Sequence, residues 1–157
     1  MADLEAPPVA LVFDDDLGAA EALRGKLTQL GYEVQIANDI VEARRFLAQT
    51  TVAVIVVELG GTTDTSRHLV EDLASHPDVP PMLVVADDEP AQLTAREFSV
   101  ACIARSADLD ALGAALTLTQ SYQLRPLRRD RGISVRRQAV LQAMIDAATP
   151  PPGRDRR

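Results

Sequence analysis

Residues 11–18, LVFDDDLG, set three carboxylates side by side directly after an apolar run: Asp14, Asp15 and Asp16. Like charges packed together repel, so either these acids lie in a solvated turn or a cation sits among them. Other charges close later apolar runs in the same way. Glu58 ends VAVIVVEL (52–59), Asp87 and Asp88 follow PPMLVVA (80–86), and Arg105 follows VACIA (100–104). Carboxylates gathered in this manner can hold a hard divalent cation, and a guanidinium among them can take a carboxylate bidentately.

Other chemistries find little support. Cys102 is the only cysteine, so neither an internal disulfide nor a cysteine metal cluster can form. No Ser or Cys is arranged with a histidine as a nucleophile set, and His68 and His76 read as surface or packing residues. The stretch GGTTDTS (60–66) follows an acid and lacks the Lys-Ser/Thr ending of a phosphate-cradling loop. The expectation is a chain that is not an enzyme.

The charged residues need a scaffold that brings strand ends together. VALVF (9–13), YEVQIA (32–37), 52–59, 80–86 and 100–104 have strand length and apolar or alternating character. Between them lie segments of helical periodicity. The first, 17–31, is stopped by Gly31; the second is capped by Asn38 or Asp39; the third is ended by Pro77. A fourth has Pro90 in its first turn, and Asp108 opens a fifth. DDEPA (87–91) is read as a helix N-terminus, not as part of the acidic site. Five βα units predict an α/β domain with a parallel sheet covered by helices on both faces. In the flavodoxin-like strand order 2-1-3-4-5, the first and third strands meet at the switch point, where sites form. That order gathers Asp14, Asp15 and Glu58, with Arg105 reaching in from the side.

With 157 residues, 46% of them hydrophobic and 25% charged, the chain suits one soluble globular domain. No apolar run approaches membrane-spanning length, and the acidic, proline-bearing start does not read as a signal peptide, so a cytoplasmic location is expected. Residues 1–120 carry a net charge of −13 and residues 121–157 a net +6. An acidic body will not attract nucleic acid at long range, whereas the basic tail can. The segments read as an N-terminal tail (1–8), a main domain (9–122), a basic linker (123–132), an amphipathic helix (133–149) and a disordered end (150–157). The tail arginines Arg125, Arg128, Arg129, Arg131, Arg136 and Arg137 cluster without interleaved aromatics, which disfavours single-strand stacking. The helix has Val140, Leu141, Met144, Ile145 and Ala148 on one side, and it can pack on its own body, pair with a second copy or dock on a partner.

Over roughly residues 8–121 the chain resembles the response-regulator receiver domain family. The resemblance rests on the acidic pair after strand one, the acid ending strand three, the small residue ending strand four and the base ending strand five. It implies that Asp14 and Asp15 match the family's metal-holding pair. It also puts Glu58 at the phosphoacceptor position, Ala86 at the Thr/Ser position, Cys102 at the aromatic switch position and Arg105 at the lysine position. In that family a partner histidine kinase phosphorylates an aspartate beside bound magnesium.

Four functional positions depart from the family pattern. Glutamate is one methylene longer than aspartate, which moves its oxygen away from an in-line donor; such transfers depend on positioning. Ala86 has no hydroxyl, and Cys102 has no ring to be drawn inward. The chain therefore reads as a degenerate receiver: a phosphorylation-independent module that acts by protein–protein contact in two-component signalling or transcription regulation. Its partner would be a signalling kinase, a regulator or a second copy, with a homodimer as the expected assembly and the face of residues 89–121 carrying Arg96, Arg105 and Asp108. No cofactor is required. A weak Mg2+ on Asp15, Glu58 and the Gly60 carbonyl stays open beside an empty, solvated pocket. Two rival readings also stay open: a phosphorylatable or constitutively phospho-mimicking regulator in which Glu58 pairs with Arg105, and a nucleic-acid-binding regulator using the tail.

Overall fold

The computed structural model describes residues 6–14, 16–59, 65–74, 78–123, 125–126 and 132–148. The five expected strands form, as β1 (Val9–Phe13), β2 (Glu33–Ala37), β3 (Val54–Glu58), β4 (Met82–Val85) and β5 (Ala101–Ile103). All pairings are parallel, and the order is β2-β1-β3-β4-β5. β1 keeps the bounds of its apolar run, and the other four strands are a little shorter than theirs, because pairing stops where the chain turns into the connecting loops.

Six helices among the described residues accompany them: α1 (Leu17–Gln29), α2 (Ile40–Gln49), α3 (Thr65–Ala74), α4 (Glu89–Glu97), α5 (Leu109–Ser121) and α6 (Gly132–Ala148). Strand residues alternate between two cores, as a period of two requires. Ala10, Val12, Val54, Val56, Leu83, Val85, Ala101 and Ile103 pack with α1, α5 and α6. Leu11, Phe13, Ile55, Val57, Met82 and Val84 pack with α2, α3 and α4. Both faces of β3 are fully buried, which accounts for its unbroken run of β-branched residues.

Aspartates begin four of the helices. Asp16 caps α1 by accepting from the Gly18 and Ala19 N–H groups. Asp39 caps α2 through Glu42, Asp88 caps α4 through Ala91, and Asp108 caps α5 through Ala111. Each satisfies an N–H that the first helical turn leaves orphaned. Helix α1 ends at Gly31, where φ is +95°. The Tyr32 N–H reaches the Leu27 carbonyl and the Gly31 N–H the Thr28 carbonyl, a closure that favours glycine.

Of the three fates left open by its sequence, the structure shows the first: α6 packs on its own body, against α5 and β5. Its expected apolar stripe is split. Leu141 and Ile145 are buried in the core, whereas Val140 and Met144 are 56% and 39% exposed and Ala148 faces solvent. The inward face is set by Gln138, Leu141, Gln142 and Ile145, because the glutamines bond to the backbone of Cys102 on β5 and of Val100 just before it.

The third residue of the acidic triplet is thus a structural cap. Asp16→Ala should lower the unfolding free energy by about 1 kcal/mol in a denaturant titration, the usual worth of an aspartate N-cap. An unchanged midpoint would contradict that role.

Candidate functional site

Sheet register builds the site. Phe13 lies opposite Val57, so the next residues, Asp14 and Glu58, emerge side by side at the carboxyl ends of β1 and β3. Glu58 pairs with Val85 on β4, and Val85 with Ile103 on β5. Two residues further along, Asp87 and Arg105 face each other. The switch point therefore gathers Asp14, Glu58, Asp87 and Arg105, as order 2-1-3-4-5 requires.

Two of these acids are almost wholly shielded from water: Asp14 is 3% exposed and Glu58 6%. Burying a carboxylate needs a compensating charge or hydrogen bonds. Asp14 Oδ1 accepts the Asp16 N–H at 2.9 Å. Glu58 Oε1 forms an ion pair with Arg105 Nη2. Arg105 is itself 58% exposed, so the guanidinium reaches into the pocket from its rim. Asp87 holds it there: its Oδ1 accepts the Arg105 backbone N–H at 2.8 Å, and its Oδ2 lies 4.0 Å from Arg105 Nε.

Two residues of the site were missed from sequence. Asp87 was assigned to a helix start, but only its neighbour Asp88 is the cap, and Asp87 turns to Arg105. Counting two residues on from the paired positions Val85 and Ile103 would have found it. Lys26, on α1, donates from Nζ to the Arg105 carbonyl at 3.4 Å. It lines a small cleft of about 160 Å3 with Glu58, Arg105, Ala19, Leu23, Ile103 and Leu112. No local motif marks Lys26; it arrives because α1 and α5 share one face of the sheet.

The remaining site residues separate clearly. Ala86 is 2% exposed and packs in the α2–α4 core, with its N–H bonded to the Ile103 carbonyl. Asp15 and Gly60 lie outside the described residues. Among the described residues, no three His, Cys, Asp or Glu side chains converge to hold a metal ion. Of the described acids at the switch point, Glu58 and Asp87 face the Arg105 guanidinium, and Asp14 accepts the Asp16 N–H.

Of the tail arginines, Arg128, Arg129 and Arg131 lie outside the described residues, as do the side chains of Arg136 and Arg137. Arg125 is half-buried, and its Nε is shielded without a hydrogen-bond partner among the described residues. It lines an open groove of about 720 Å3 at the opposite end of the sheet, with Leu47, Val52, Val79 and Pro80. It is therefore not part of a freely solvated basic face. His68 is exposed on α3, and His76 lies outside the described residues.

Cys102 is half-buried on β5. Burial, reinforced by Asp146 and opposed by Arg96, pushes its thiol from 9.0 up to about 11. The folded chain favours the neutral thiol; that stabilisation is complete below pH 9 and is lost as the pH rises through about 11. Alkylation of Cys102 in the native chain should accordingly follow an apparent pKa near 11. At pH 8 it should be about a hundredfold slower than in urea-unfolded chain. A rate equal to that of the unfolded chain would contradict the burial.

No family model matches the chain. Nor does any curated protein match it. Solved structures do. The receiver domain of a histidine kinase from Syntrophus aciditrophicus superposes with a TM-score of 0.61 at 21% identity, covering 73% of this chain and 90% of that one. The receiver domain of an HD domain-containing protein from Pseudomonas fluorescens gives 0.65 at 18% identity, covering 78% and 93%. A receiver domain protein from Methanospirillum hungatei gives 0.62 at 16%, covering 74% and 96%. At these identities the likeness speaks for the fold alone. The chain has the fold of response-regulator receiver domains.

Proposed function

We propose that this chain is a degenerate member of the receiver family, a signalling module that acts through protein–protein contact without aspartyl phosphorylation. The observation that carries the reading is the Glu58–Arg105 ion pair at the acceptor position. A carboxylate already engaged by a guanidinium in a buried pocket is a poor nucleophile toward a phosphoryl donor, and its extra methylene misplaces it further. Ala86 supplies no hydroxyl to hold a phosphoryl oxygen. Cys102, its backbone fixed by Gln142, supplies no ring to relay a change. A two-state switch needs an element with two arrangements, and both usual parts of that element are absent here.

No cofactor is needed in this reading, because Arg105 supplies the charge that a cation would bring, and the module is not an enzyme. The partner is a protein: the body is acidic, with a net −13 over residues 1–120, which opposes contact with nucleic acid. No helix among the described residues is long and apolar enough to cross a membrane; a cytoplasmic signalling role accords with this.

The same ion pair supports a second reading, in which Glu58 and Arg105 permanently imitate the phosphorylated state. Both readings expect no phosphoryl uptake. Incubation with acetyl phosphate and magnesium, followed by intact-mass spectrometry, should show no added phosphoryl group on the wild-type chain. A stoichiometric, base-labile adduct mapped to Glu58 would overturn the proposal.

A further inference from the structure

The outer edge of β5 carries an arrangement that the receiver-like site does not use. An edge strand presents a row of backbone donors and acceptors that must be paired, hydrated or covered. The outward groups include those of Cys102 and of Val100 just before β5; the Val100 N–H bonds to the Ala95 carbonyl, and α6 meets three others. Gln138 Nε2 donates to the Val100 carbonyl at 3.0 Å. Gln142 Oε1 accepts the Cys102 N–H at 2.7 Å, while its Nε2 donates to the Cys102 carbonyl at 2.8 Å. The Gln142 amide thus satisfies both backbone groups of one strand residue, as a neighbouring strand would.

The spacing explains why a helix can do this. Residues four apart in a helix rise about 6 Å, and residues two apart in a strand about 6.6 Å. Gln138 and Gln142 are four apart, Val100 and Cys102 two apart, and both pairs run in the same direction. One helix side is thereby matched in register to one strand edge. Leu141 and Ile145, on the same side, enter the core formed with α5 through Ala111, Leu112, Ala115 and Leu116. Gln142 is oriented in turn by Asp146 Oδ1, at 3.0 Å from its Nε2. The edge of β5 and the flank of α5 together form a helix-docking site with a specific polar register and two apolar positions.

We propose that this site is an exchange site for α6, filled by the chain's own helix here and by the α6 of a second copy in a self-assembled form. Every contact just described is available in trans, so the two forms differ in the contacts of the connecting residues and in the entropy of the connection and of association. Ten residues, 122–131, separate α5 from α6; Arg125 and Pro126 pack on the body here, and once these are released the ten residues at about 3.3 Å each reach about 33 Å, enough to cross to an adjacent body. Charge suits the same partner, since the basic segment 121–157, net +6, is complementary to an acidic body, net −13, in trans as in cis. The docked seam is partly polar. Its backbone groups take water when it opens, which makes release less costly than opening a wholly apolar contact. Self-exchange deepens the protein-contact reading and rests on it. Phosphoryl uptake would defeat that reading without touching the exchange site.

The test uses the full chain and a fluorescein-labelled peptide of residues 132–148. In Leu141→Asp the chain's own helix is disabled while β5 and α5 are untouched. That chain should bind the peptide in an anisotropy titration, and binding should slow alkylation of Cys102. The wild-type chain, its site filled, should bind the peptide at least about tenfold more weakly. A peptide carrying Gln138→Ala and Gln142→Ala should lose about tenfold in affinity for the Leu141→Asp chain. Wild-type protein concentrated and then diluted should show a dimer by light scattering that Leu141→Asp does not form. If Leu141→Asp fails to fold by circular dichroism, the full chain with Gln138→Ala and Gln142→Ala takes its place, since it removes no apolar contact, and must capture the native peptide. A folded chain with a disabled α6 that ignores the peptide would overturn the proposal, as would equal affinity for both peptides or a wild-type chain that stays monomeric at millimolar concentration.

Discussion

A parallel sheet returns the chain to the same end after every strand, so its connections lie on both faces and each strand must be apolar on both sides. Here that requirement assigns Ala10, Val12, Val54 and Val56 to one core and Leu11, Phe13, Ile55 and Val57 to the other. Polar side chains are pushed to the strand ends. At the carboxyl ends the right-handed crossovers diverge to either side of β1 and β3, which puts Asp14 and Glu58 at the switch point. The acidic site is a consequence of burial elsewhere, and its charges then have to be neutralised locally.

The neutralisation is built from the chain itself. Glu58 is buried and Arg105 is mostly exposed, so the pair is held by one dry partner and one wet one. Asp87 braces the arginine from the far side, and its bond to the Arg105 backbone fixes where β5 ends. The arrangement engages Glu58 and Asp87 with one guanidinium. It places the chain's adaptable chemistry at the other end of the strand order, where β5 is an edge and α6 covers it.

Much of this was legible in the sequence. Strand runs, Gly31, Asp39 and Asp108 announce the elements, because caps and apolar runs are local signals. Five βα units narrow the parallel arrangements, and in the flavodoxin-like order, which the sheet adopts, Glu58 stands beside Asp14. What escaped was set by tertiary register. Asp16 and Asp87 look alike within their triplet and doublet, yet one caps a helix and the other turns to Arg105, a difference fixed by where the helix starts and which strand lies opposite. The face that α6 presents was misjudged for the same reason. Periodicity alone grouped Val140 and Met144 with Leu141 and Ile145, whereas the unpaired edge of β5 drew two glutamines inward and rotated the apolar stripe toward water.

The central claim is that the pocket around Glu58 is closed to phosphoryl chemistry and has no two-state element to drive. The most direct measurement is the set of backbone amide chemical shifts of the full chain, with and without magnesium and beryllofluoride, a phosphoryl analogue. The account predicts shifts for residues 86–105 that stay unchanged at saturating analogue. Saturable changes that spread from Glu58 through Ala86 to Cys102 would contradict it, because they would show a binding event at the acceptor position and a path that carries it to the edge of the sheet.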